Sequence, residues 1–97
     1  MSEIATTASD TLFRRQRAFL LHQLAAAPEG ILTQSAANKA IPKQIQDEFN
    51  LNGKAANDLR SEMAAAGWLT TEKVKRVVTY AVTEAGTQQL RALERYL

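Results

Sequence analysis

Ala64-Ala65-Ala66-Gly67-Trp68-Leu69, then Val77-Val78-Thr79-Tyr80-Ala81-Val82, then Thr83-Glu84-Ala85-Gly86 are the stretches that decide how this 97-residue chain folds. The alanines carry a helix up to Gly67, and glycine enters the left-handed conformation that ends helices more cheaply than any other residue. Trp68 to Glu72 and Arg76 to Val82 then read as the two strands of a hairpin with a basic tip. In the second strand Val78, Tyr80 and Val82 alternate with Val77, Thr79 and Ala81, so one face is core and the other is partly wet. Thr83 can accept an orphan backbone N–H and restart a helix.

Upstream, Asp10 or Thr11 caps a first helix that runs to about Ala27, where Pro28-Glu29-Gly30 makes a turn. Phe13, Leu20, Leu24 and Ala27 share its core face, with Leu12 and Phe19 widening the stripe. Ile31-Leu32-Thr33 reads as a short edge strand, and Gln34 to Ala40 carries no clear period. Pro42 opens a helix that reaches Phe49, with Ile45 and Phe49 inward. Asn50-Leu51-Asn52-Gly53 is a tight turn whose Asn52 caps a helix from Gly53 to Ala66. That helix buries Ala56, Leu59, Met63 and Ala66. The whole reads as a mainly α chain with a small β-hairpin, a winged helix-turn-helix. Residues 1–9 form a loose polar tail, and residues 10–97 form one domain, with 84–97 as a possible dimerisation element.

A chain this short buries roughly 60–65% of its unfolded surface, enough for one modest core. It has no cysteine, which excludes disulfides and thiolate metal sites and fits a reducing cytoplasm. No apolar run approaches the ~18 residues of a membrane span, and the polar start is unlike a signal peptide. Twelve basic residues against ten acidic give a net charge of +2, a weak argument for a polyanionic partner. The local clusters say more: Arg14, Arg15 and Arg17 on the first helix, and Lys73, Lys75 and Arg76 at the hairpin tip.

The outward face of the helix over 53–66 presents Lys54, Asn57, Asp58, Ser61, Ala64 and Ala65, with Arg60 on the flank. Asparagine pairs bidentately with adenine and arginine with guanine, and Ser61, Ala64 and Ala65 are small enough for close approach to a groove. Lys54 at the helix N-terminus suits a phosphate. Asp58 and Glu62 repel phosphate and support the plainer reading of a solvated face. Three cations within four positions at the hairpin tip suit a phosphate backbone, although charged edge strands also serve only to prevent aggregation. The arginines of the first helix read best as snorkelling side chains. Gly86, Leu90, Leu93 and Leu97 form a seam. With Phe19 it either pairs with a second copy or packs on its own first helix. The lone His22 has no nucleophile or orienting acid beside it, and no phosphate loop, paired carboxylates or metal-ligand spacing appears, so no enzyme, cofactor or metal is expected.

Asp58-Leu59-Arg60-Ser61-Glu62-Met63-Ala64-Ala65-Ala66-Gly67-Trp68-Leu69 and Tyr80-Ala81-Val82-Thr83-Glu84-Ala85-Gly86-Thr87-Gln88-Gln89-Leu90 together resemble winged-helix transcription regulators of the PadR and MarR types, over about Leu51 to Leu90. The second block is similar to the Tyr-x-Leu-Thr-x-x-Gly that leads from wing to final helix in those families. The resemblance implies a homodimeric regulator that reads double-stranded DNA through Lys54, Ala55, Asn57, Asp58 and Ser61 and grips phosphate through Lys73 to Arg76. The segment from Thr33 to Pro42 departs from that pattern. A winged helix can also dock proteins without binding DNA, which is the alternative expectation.

Overall fold

Capping side chains set the starts of the helices that follow Thr33, Asn52 and Thr83. The computed structural model describes residues 8–97, with side chains from Asp10 onward, so the expected tail lies outside the described residues over 1–7. Helix α1 spans Ala8–Ala26. It starts before the expected cap, which places Asp10 inside the first turn, where its carboxylate lies 3.3 Å from Arg14 one turn on. A negative charge there also complements the helix dipole. Pro28–Gly30 form a single 3₁₀ turn in which Glu29 and Gly30 have φ of 59° and 69°. Strand β1, Ile31–Thr33, follows as expected.

The segment without a period resolves into a helix, α2, over Gln34–Lys39. Its signal is local: Thr33 Oγ1 accepts from the Ala36 N–H at 3.1 Å. Ala37 alone of this helix is buried, which is why no apolar repeat marked it. Helix α3 covers Lys43–Glu48 behind Pro42, and α4 covers Gly53–Ala65 with Asn52 capping Ala55 N–H at 2.8 Å. Asn50 turns the chain between them at φ 51°. Gly67 ends the passage from α4 at φ 87°, where an added side chain would meet open space, so conformation alone selects the glycine.

Strands β2, Leu69–Val74, and β3, Val77–Val82, make the hairpin. β1 adds to it, giving a three-stranded antiparallel sheet in the order β1-β3-β2 with Leu32 and Thr71 either side of Tyr80. Helix α5, Glu84–Leu93, is capped by Thr83, whose hydroxyl accepts from Gly86 N–H at 3.0 Å. A 3₁₀ turn over Glu94–Tyr96 closes the chain. The result is mainly helical with one small antiparallel sheet.

The core joins Leu20, Leu21 and Leu24 of α1 to Phe49, Leu51, Leu59, Met63, Leu69, Tyr80 and Leu90. Phe19 meets Phe49 edge to face at 6.1 Å. α5 lies so close to the start of the hairpin that a Cβ on Gly86 would run into the Trp68 carbonyl. Two expected core residues stand outside: Ala66 is exposed past the end of α4, and Phe13 is 45% exposed. Phe13 is covered instead by the Arg17 guanidinium, 3.2 Å from its ring centre.

Candidate nucleic-acid interface

The hairpin closes through two residues, Lys75 and Arg76, between Val74 and Val77. A two-residue connection usually needs positive φ in its turn, and asparagine or glycine normally supplies it. Here Lys75 adopts φ 59°. A side chain in that region costs about 1–2 kcal/mol, so the tip holds a lysine where glycine would be more comfortable. Lys73, Lys75 and Arg76 are all exposed, and none has an ion pair or side-chain hydrogen bond among the described residues. Their charges are free for an outside anion. Val74 and Val77, 58% and 52% exposed, flank them. Arg76 also borders a cleft of about 340 Å³ between the tip end of β3, at Val77 and Val78, and Gln34 and Ser35 at the start of α2.

Helix α4 supplies the neighbouring surface. Its exposed stripe comprises Lys54, Asp58, Ser61, Glu62 and Ala65, while Ala55 and Ala64 are half-buried against the core. The stripe's charges are spent locally. Lys54 pairs with Asp58 at 3.5 Å, and Glu62 pairs with Arg17 of α1 at 3.2 Å. Lys54 and Ser61 therefore stand where the sequence places them, exposed on the outer face.

Arg60 does not. It was expected on the flank as a base-contacting residue, but it is fully buried between α4, α2 and β3. Its Nη1 donates to Asn38 Oδ1 at 2.7 Å and to Asn57 Oδ1 at 3.2 Å, and its guanidinium lies 5.8 Å from the Tyr80 ring centre. Burial pushes its pKa below the ordinary arginine value, with Tyr80 opposing this. Nε and Nη2 have no partner. The sequence did hold the signal for this position: residues 56, 59, 60 and 63 form one helical stripe, and three of them are apolar. Asn57 is corrected in part. It is half-buried, and its carbonyl oxygen serves Arg60 and Asn38 (Nδ2 to Oδ1, 3.0 Å), so it has no oxygen left for the adenine pairing. Asn38, from the segment without a period, is the residue that sequence reasoning missed.

Of the two arrangements expected for the leucine seam, packing on the chain's own first helix accounts for Leu90 and, in part, for Phe19 and Leu93. Leu90 is 8% exposed within its own core, and Phe19 and Leu93 pack half-buried against that core. The helical spacing breaks after Leu93, where the 3₁₀ turn leaves Leu97 49% exposed and off the stripe. The physical reason is proximity: α5 returns directly onto α1, and an intramolecular partner carries no association cost.

The arginines of α1 are also occupied. Arg14 Nη1 donates to the Tyr96 hydroxyl at 2.8 Å, and Arg15 Nε donates to the Tyr96 carbonyl at 3.0 Å. Arg95 Nη2 donates to the same hydroxyl at 3.3 Å. The bonds from Arg95 and Arg14 hold the Tyr96 phenol below its ordinary pKa, and the Tyr96 bond followed by Asp10 raises that of Arg14. Arg17 is lowered by burial, against the pull of Glu62. His22 stands exposed on α1.

No family model matches the chain, and no curated protein matches it either. Among the described residues, no helix is long and apolar enough to cross a membrane.

Proposed function

We propose that this chain is a small winged-helix protein that binds double-stranded DNA, with α4 towards the major groove and the hairpin as a wing on the phosphate backbone. The resemblance of residues 51–90 to PadR- and MarR-type regulators extends the reading to transcriptional control in the cytoplasm. One observation carries it: an exposed two-residue tip keeps Lys75 in a conformation that favours glycine, with Lys73 and Arg76 equally unpaired beside it. A strained backbone at a charged, solvent-facing position is more often kept for binding than for stability. Affinity then comes from Lys73, Lys75 and Arg76, with Lys54 at the start of α4 joining as a fourth cation where a phosphate displaces Asp58, and with Ser61 allowing close approach; Ala55, half-buried against the core, is no part of the contact. Arg60 is no part of the contact surface.

The test is a salt titration on random duplex. Three to four neutralised phosphates per bound copy give a slope of log K against log salt of about −3 to −4. No binding at low salt refutes the proposal.

A second reading, a protein-docking module, is favoured by the Lys54–Asp58 and Arg17–Glu62 pairs, which leave the α4 stripe close to neutral. It calls for an absent or salt-independent response in the same titration.

A further inference from the structure

The orientation of the Asn57 amide is dictated from inside the molecule. A guanidinium can only donate hydrogen bonds, so whatever Arg60 Nη1 touches on Asn57 must be the side-chain oxygen. Asn38 Nδ2 donates to that same oxygen, and Arg60 in turn fixes Asn38 by its own oxygen. The Asn57 carbonyl thus accepts twice, which uses both lone pairs. Its nitrogen Nδ2 has no partner among the described residues. The buried side-chain polar atoms without partners are Gln23 Oε1 and Arg60 Nε and Nη2 among the described residues, so Asn57 Nδ2 reaches solvent. It does so at the edge of the exposed α4 stripe, one turn from Lys54 and from Ser61.

We infer that Asn57 is a donor-only reader that selects keto bases, guanine foremost, over the amino bases adenine and cytosine in the duplex; this rests on the DNA-binding reading above. In the major groove guanine offers two acceptors, N7 and O6, and thymine offers O4. Adenine offers one acceptor and a donor, the N6 amino group, and cytosine offers the N4 amino donor. A free asparagine satisfies adenine by turning its oxygen towards N6. Asn57 cannot turn without leaving Arg60, a buried cation, short of another acceptor. An adenine or cytosine amino group therefore meets an N–H, and discrimination comes from that mismatch as much as from the pairing with guanine.

The experiment uses the full chain. Bound duplexes are enriched from a random library, and binding of the enriched duplex is then measured with each base in turn at every selected position. At one position guanine is expected to exceed adenine by roughly five- to a hundredfold. Replacing that guanine by 7-deazaguanine removes N7 and should weaken binding. Asn57→Asp keeps an oxygen on Arg60 and Asn38 and turns an acceptor outward, so the base ratio should reverse towards cytosine or adenine even as overall affinity falls. An unchanged ratio in Asn57→Asp overturns the inference, as does adenine preferred by the unaltered chain. Folding of the variant is checked by its thermal melt. In the DNA-free protein the Asn57 side-chain N–H protons should exchange rapidly with water, and slow exchange overturns the inference without any variant. Absence of binding to every duplex at low salt instead removes the DNA reading itself.

Discussion

Arg14, Arg15 and Arg17 on α1 and Lys73, Lys75 and Arg76 at the hairpin look alike in the sequence, each group crowding cations into four positions. On α1 the side chains point across to other elements: Tyr96 receives two of them, and Glu62 and the Phe13 ring take the third. At the hairpin no side chain among the described residues reaches across to the cations. A two-residue turn ends in solvent between Val74 and Val77, and the one acid beside the cluster, Glu72, forms no ion pair with it. The availability of a charge is thus set by what the fold carries past it, and a count of cations says little by itself. One cluster fastens Tyr96 to the first helix, and the other stays unpaired among the described residues.

Substitutions should separate the two clusters cleanly. The largest effect expected is on binding. Replacing Lys73, Lys75 and Arg76 together by alanine should flatten the salt dependence of DNA binding by about 2.7 in slope, with the melting temperature nearly unchanged. A fall in stability of the same size as any loss on α1 would erase the contrast. Arg17→Ala should do the opposite and cost about 1 kcal/mol in urea denaturation, through the lost contacts with Phe13 and Glu62, with the burial penalty on the guanidinium limiting the loss. DNA affinity should stay put, and a steep drop would place α1 in the interface after all.

Lys75→Gly sharpens the comparison further. Relief of the positive φ should raise stability by about 0.5 kcal/mol, part of the relief being offset by glycine's greater freedom in the unfolded chain. The salt slope should drop by about 0.9 at the same time. A destabilised Lys75→Gly variant would mean that the lysine stabilises its own turn.

The smallest effect lies at Tyr96. Its phenol is held below the ordinary value of 10.0 by Arg95 and Arg14. Stability is gained only as pH rises through the folded pKa towards the unfolded one. Absorbance titration should show one tyrosine ionising early, and Tyr96→Phe should abolish that phase. Its persistence in the variant would detach Tyr96 from the arginines.

Much of the fold was legible. Asn52, Thr83, Gly67 and Asn50 act on backbone groups within a turn of themselves, and each stands in the role its chemistry suggests. Helix α2 was not legible by pattern because a helix with one buried residue has no apolar period, although Thr33 marked its start. Of the candidate site, the hairpin cations and the outer stripe with Lys54 and Ser61 followed from spacing. Arg60 was misplaced because charge outweighed position: it lies on the buried stripe with Ala56, Leu59 and Met63, and the fold takes it inward.

Determined by the sequence alone were the hairpin, α4, α5 and the turns that bound them, because caps, glycine turns and strand alternation act over a few neighbouring residues. Tertiary structure alone decided which polar groups are spent. Whether a leucine stripe meets a second copy or α1, whether an arginine faces water or Asn38, and which way the Asn57 amide points all depend on residues remote in the chain. Hydrogen bonds and burial select partners by distance in space, and local periodicity carries no record of that.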